Sequence, residues 1–179
     1  MKETKERYEV IMAGSGGQGL VLAGIMLGEA AMLEGKIVMQ TQSYEIASRG
    51  GFSMAEVIIS KQEIIYPHVQ EPDIILTLTE EALEKYAGFS ERGVPVFYDT
   101  TLANPRTGDH MSGFAFTQMA SDRGNIASVN ILAMGALLGC VPMVKIESLI
   151  KIIQKHFKGK AIELNIGALQ SGLDLIEGL

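Results

Sequence analysis

Short apolar runs alternate with longer apolar or amphipathic stretches along this chain, the pattern of strands alternating with helices. Residues 8–13, carrying Val10 and Ile11 and followed by glycines, read as a buried strand. Residues 20–32 hold one charge, Glu29, among Leu, Ala and Met. A helix so apolar around its circumference is expected to be covered on two sides. Gly24, Gly28 and Ala31 fall on one face of it and permit close approach to a sheet. Residues 37–42 and 52–59 read as the next strands. The link between them, 43–51, is too short for a helical crossover, so the two are expected to pair antiparallel and make the sheet mixed. Runs 74–78 and 94–98 are further buried strands, with Thr79 placed to cap a helix whose first turn holds Glu80 and Glu81. A turn-rich excursion spans 104–113, and 114–119 reads as one more short strand. Helices over 125–138, 144–157 and 160–177 finish the chain. The last two carry apolar stripes, Ile146, Leu149, Ile150, Ile153 and Phe157 in one and Ile162, Ile166, Leu169, Leu173 and Ile176 in the other. The expected fold is α/β: a three-layer, Rossmann-like mixed sheet with helices on both faces, in a single domain over 1–179.

Composition narrows the function classes. At 179 residues, 47% hydrophobic and 20% charged, the chain can bury a sizeable core. A net charge of −6 without a dense basic run argues against a nucleic-acid partner. Cys140 is the only cysteine, which excludes an internal disulfide and a cysteine-held iron–sulfur cluster and suits a reducing, cytoplasmic setting. Residues 1–9 mix Lys, Arg and Glu without an apolar core, so no signal peptide is expected. Residues 126–144 carry no charge and approach membrane-span length, but Asn130, Gly135, Gly139 and Pro142 interrupt them. A buried helix ending near Gly139 is the reading, with a membrane span as the alternative.

The chemistry-bearing motif follows the first strand. Gly14, Ser15, Gly16, Gly17, Gln18 and Gly19 match G-x-G-x-x-G between a strand and a helix, the context this pattern requires. Glycines let the backbone approach a ligand, and unpaired N–H groups at the helix start attract negative charge. An anion site is favoured over a bare tight turn. Two specific versions fail. A dinucleotide site expects Asp or Glu about 20 residues past the loop, yet residues 38–42 read Val-Met-Gln-Thr-Gln. A nucleotide-hydrolysing phosphate loop needs Gly-Lys-Ser/Thr, and Gly19 is followed by Leu20 and Val21. Arg49, followed by Gly50 and Gly51, could clamp a phosphate or carboxylate from the 43–51 loop, or be a solvated arginine before a turn. Asn130, inside an apolar helix, needs a backbone or ligand partner. Asp99 stands at a strand end, where it could meet a ligand or cap a turn with Thr100 and Thr101. His68, His110 and His156 are scattered, so no metal site is assigned, and no nucleophile–base grouping or catalytic residue stands out.

In combination, Gly14–Gly19 read as Gly-x-Gly-Gly-Gln-Gly, the Gln-Ser-Tyr…Arg-Gly-Gly segment over 42–51, and Gly124-Asn125…Asn130 resemble the gamma subunit of 2-oxoacid:ferredoxin oxidoreductases. The order and spacing fit from Tyr8 to the C-terminal helices. The family usually reads Ser-Tyr-Gly-Pro-Glu-x-Arg-Gly-Gly; here Glu45, Ile46 and Ala47 replace Gly-Pro-Glu, while Ser43, Tyr44, Arg49, Gly50 and Gly51 remain. The resemblance implies a complex that converts a 2-oxoacid and coenzyme A to acyl-CoA and CO2 while reducing ferredoxin. It implies thiamine diphosphate, magnesium and iron–sulfur clusters held chiefly by partner subunits, none by this chain alone. The implied partners are alpha, thiamine-binding beta and ferredoxin-like delta subunits and ferredoxin, with no nucleic acid and no membrane, and a homodimer is an option for the isolated chain. It also implies that Gly14–Gly19, Ser43, Tyr44, Arg49, Gly50, Gly51 and Asn130 border the site, with 2-oxoglutarate the leading substrate, since a short, separately encoded gamma chain is common in that branch. A stand-alone nicotinamide- or flavin-binding oxidoreductase and a non-enzymatic anion- or nucleotide-binding module are the alternatives.

Overall fold

Alternation with period two divides the central strands between two cores, and this sets the layering. The computed structural model describes residues 5–44 and 51–178. Six strands, β1 (Arg7–Ser15), β2 (Ile37–Tyr44), β3 (Phe52–Ser60), β4 (Ile74–Thr77), β5 (Val96–Asp99) and β6 (Met111–Phe114), form one sheet in the order β2-β3-β1-β4-β5-β6. β3 runs antiparallel to both β1 and β2, as the short 43–51 link requires, while β4, β5 and β6 extend from β1 in parallel. Six α-helices follow in the order α1 (Leu20–Leu33), α2 (Glu80–Tyr86), α3 (Phe116–Asp122), α4 (Val129–Cys140), α5 (Ile146–His156) and α6 (Lys160–Glu177).

Val10, Met12, Ala55, Val57, Ile74 and Leu76 face the larger core, which α1, α4, α5 and α6 complete. Ile11, Ile75, Val96 and Tyr98 face the other side, against Leu83 and Tyr86 of α2 and Phe89 in the 3₁₀ turn after it. The mixed sheet between helical layers agrees with the expectation. Thr79 caps α2 as read, its hydroxyl accepting from the Ala82 N–H at 3.3 Å.

One reading is corrected. Residues 114–119 do not form a strand: β6 ends at Phe114 and α3 begins at Phe116. Asp99, fully buried, accepts from the N–H and hydroxyl of Thr117 and so fixes the first turn of α3. Phe114 and Phe116 mimic strand alternation because both pack in one aromatic cluster with Phe97. The uncharged 126–144 stretch holds α4, a buried helix as expected. Val129 to Leu138 are all buried within this chain, with α6 lying along α4. Gly135 and Gly172 make that contact possible, since a Cβ on either would overlap backbone of the facing helix. Among the described residues no helix is long and apolar enough to cross a membrane.

Candidate functional site

The glycine loop sits at the C-terminal end of β1, beside the C-terminal end of β4, where parallel strands open onto their loops. Its path is set by hydrogen bonds. The Gly16 N–H donates to Gly51 O at 2.9 Å, tying the loop to the start of β3. Gln18 folds back under it: Oε1 accepts from the Ser15 N–H at 2.8 Å, and Nε2 donates to Leu78 O at 3.1 Å. Gly14 leaves room for that amide, because a Cβ there would overlap Gln18 Oε1.

Gly17 and Gly19 take positive φ, 96° and 73°, a conformation that side chains disfavour. Gly19 caps α1, and among the described residues no side chain accepts from the helix's first N–H groups; its first turn also lacks acidic residues. A helix start of this kind offers its first N–H groups and the positive end of its dipole to an anion such as a phosphate or carboxylate. Among the described residues a Cβ at Gly16 would meet only Gly51 O, at 3.8 Å.

The site residues read from sequence separate into groups. Gly14, Ser15, Gly16, Gly17, Gln18, Gly19, Gly51 and Asn130 converge on this loop. Asn130 is a tie within the protein: its Nδ2 donates to Gly19 O at 2.9 Å, and its Oδ1 accepts from the Ile131 N–H at 2.9 Å. Gln18 is likewise engaged at both ends. These two amides hold the loop's shape rather than reaching out of it. Ser43 and Tyr44 end β2, exposed, two strand positions from Ser15, hence about 10 Å across the sheet. Arg49 and Gly50 lie outside the described residues. Asp99 serves the turn, accepting from the Thr101 N–H at 3.0 Å as well as from Thr117, and so takes the capping role.

Lys85 has no place in the motifs read from the sequence. It stands 3.6 Å over the Phe52 ring, and Phe52 pairs with Ser15 at the loop's entry. No local motif announces this, because α2 and β3 touch directly although they lie far apart along the chain. Beside it, burial and the negative charge of Glu56 raise the Tyr86 phenol above its ordinary pKa, with Lys85 opposing. Among the described residues no three His, Cys, Asp or Glu side chains are placed to share a metal ion. An open cleft of about 610 Å³ lies at the opposite end of β1, lined by Lys5, Arg7, Glu9, Glu63, Tyr66 and Arg92. The Glu9 carboxylate there is consumed by the Gln70 and Glu71 N–H groups and Arg7, so the cleft is a by-product of anchoring the 61–73 turn.

Comparison with known proteins places this geometry. The profile described as "Pyruvate ferredoxin/flavodoxin oxidoreductase" matches residues 9–175. The chain is 36% identical to the 2-oxoglutarate synthase subunit KorC of Methanocaldococcus jannaschii, over 99% of this chain and 98% of that one. It superposes with a TM-score of 0.81 on the gamma subunit of a keto/oxoacid ferredoxin oxidoreductase from Geobacter sulfurreducens, at 32% identity, covering 96% of this chain and 99% of that one. It shares its fold with a 2-oxoglutarate:ferredoxin oxidoreductase chain from Magnetococcus marinus, TM-score 0.88 at 21% identity, covering 98% of this chain and 32% of that longer one. The chain belongs to the pyruvate ferredoxin/flavodoxin oxidoreductase family, as a member of its gamma-subunit type.

Proposed function

We propose that this chain is the gamma subunit of a 2-oxoglutarate:ferredoxin oxidoreductase and that its glycine loop contacts phosphate groups of coenzyme A. The assembly converts 2-oxoglutarate and coenzyme A to succinyl-CoA and CO2, passing two electrons to ferredoxin. The likeness to KorC over almost the whole of both chains supports the substrate. One observation carries the loop's role: α1 begins with N–H groups that no side chain among the described residues caps, behind two glycines of positive φ. Coenzyme A is rich in phosphate oxygens, and the Magnetococcus enzyme of the same fold holds it.

Thiamine diphosphate, magnesium and iron–sulfur clusters belong, in this reading, to the alpha, beta and delta partners. The single cysteine and the lack of a metal-donor cluster among the described residues do not fit a cluster or metal here. This chain's contribution is to shape and cover the coenzyme A side of the complex, with Arg49, Ser43 and Tyr44 as further contacts.

Purification of a tagged chain from its native cells tests the assembly. A thiamine-binding partner in stoichiometric amount is expected, together with 2-oxoglutarate- and coenzyme A-dependent reduction of ferredoxin. A tagged chain that elutes without any such partner removes the proposal. Within the complex, Arg49→Ala is expected to raise the coenzyme A KM several-fold and leave the 2-oxoglutarate KM in place; equal changes in both would count against the clamp.

A further inference from the structure

The two sides of α5 differ. Leu149, Ile152 and Ile153 are buried, and Ile146, Ile150 and Phe157 pack on the same core, so its apolar stripe is used up inside this chain. Glu147, Lys151 and Lys155 stand four apart on the outer side, all exposed, with Lys145 just before the helix and Lys158 and Lys160 just after it. No exposed position of α5 is apolar.

Charge is unevenly spread along the chain. Residues 144–162 hold five lysines against one carboxylate, Glu147, a net +4 in a chain of net −6, so the remainder carries −10. Lys155 pairs with Glu29 of α1 at 3.0 Å, and His156 meets the same carboxylate at 2.7 Å. Glu34, which shares a surface depression with Lys145 and Lys151, is taken up by Lys36 at 2.9 Å and by the Lys145 N–H at 2.6 Å. Lys145, Lys151, Lys158 and Lys160 make no ion pair among the described residues. Like charges gathered in this way repel one another, and an acidic partner relieves that repulsion. The patch is separate from the glycine loop: the loop begins α1 and Glu34 ends it, about 21 Å along a helix of 14 residues.

We infer that this face receives the acidic electron-carrier protein that the assembly reduces. The inference rests on the oxidoreductase assembly proposed for this chain and adds a docking surface to it. In that assembly the electrons leave from a partner's cluster, and the lysines steer and hold the carrier while it accepts them. Interfaces between fixed subunits have apolar cores depleted in charge. Electron-transfer encounters are small and weak, and opposite charge guides them. The outer side of α5 is of the second kind. An extended polyanion such as a nucleic acid fits less well, because the −10 on the rest of the chain repels it. A lipid surface fits less well too, since α5 exposes no apolar residue to enter it.

Steady-state kinetics of the purified complex tests this, with ferredoxin from the same cells as one acceptor and methyl viologen as a small one that needs no docking. Lys151→Glu with Lys158→Glu is expected to raise the ferredoxin KM about tenfold at low ionic strength, because steering turns into repulsion. The wild-type ferredoxin KM is expected to rise as added salt shortens the Debye length from about 30 Å to about 10 Å, and the variant's is not. The methyl viologen rate, the coenzyme A KM and the subunit composition are expected to stay as in the wild type. An unchanged ferredoxin KM, the same salt dependence in both proteins, or loss of a subunit from the variant complex overturns the inference, the last by making this face a fixed interface. A wild-type complex that reduces neither acceptor with 2-oxoglutarate and coenzyme A removes the oxidoreductase assembly and the docking surface together. An active complex whose ferredoxin KM ignores the two substitutions removes the docking surface alone.

Discussion

Gly19 and Asn130 show how much a single position settles here. A Cβ at Gly19 would stand 2.5 Å from Asn130 Nδ2, and its φ of 73° is itself strained for any other residue. Gly19→Ala is expected to lose about 1–3 kcal/mol. Asn130→Ala, which strands Gly19 O with one fewer donor, is expected to lose a similar amount; denaturant unfolding reads both. The glycine pattern was plain in the sequence because strand, loop and helix start are contiguous there. The roles of Gln18 and Asn130 were not, since their partners, Leu78 and Gly19, stand far off along the chain. Glu9 gives a pH signature. Burial raises its pKa, but the Glu71 and Gln70 N–H groups and Arg7 outweigh this and hold it below the usual 4.5. A depressed folded-state pKa contributes stability that is present above the unfolded value and lost as pH falls through the folded one. Glu9→Gln is therefore expected to be less stable at neutral pH and to lose less on acidification below about pH 4.5, as pH-dependent urea unfolding would record.

At the level of elements, the central contact of the helical layer is between α4 and α6, made by glycines. Gly135→Ala and Gly172→Ala each place a methyl into facing backbone, so the helices must separate. Each is expected to cost about 1–3 kcal/mol or more, visible as a lower unfolding midpoint; an unchanged midpoint in both would mean the two helices are not so close. Sequence pattern located α4 and α6 well, and the last helix begins at Lys160 as its apolar stripe required. It could not show what covers α4, because the covering residues arrive only with α6. The 114–119 error has a similar origin: two phenylalanines two apart satisfy strand alternation equally well when one ends a strand and the next opens a helix. Antiparallel pairing of β2 and β3 was legible because loop length alone forbids the alternative.

For the whole molecule, the sheet order gathers the functional elements at one end. The glycine loop, Gly51, Phe52 with Lys85, and the ends of β2 and β4 share the C-terminal edge of the parallel strands, while the cleft around Glu9 occupies the other. Fold and family were readable from ordered motifs spread along the chain. The location of catalysis was not, since no nucleophile–base grouping stands out in the sequence. The account stands on the loop at the start of α1 receiving coenzyme A phosphates in the assembled enzyme. Gly16→Val tests it most directly, because a Cβ there meets, among the described residues, only Gly51 O at 3.8 Å. In steady-state assays of the intact complex, the variant is predicted to raise the coenzyme A KM by about tenfold, equivalent to about 1.4 kcal/mol, with the 2-oxoglutarate KM unchanged. An intact variant complex with the wild-type coenzyme A KM would contradict the account.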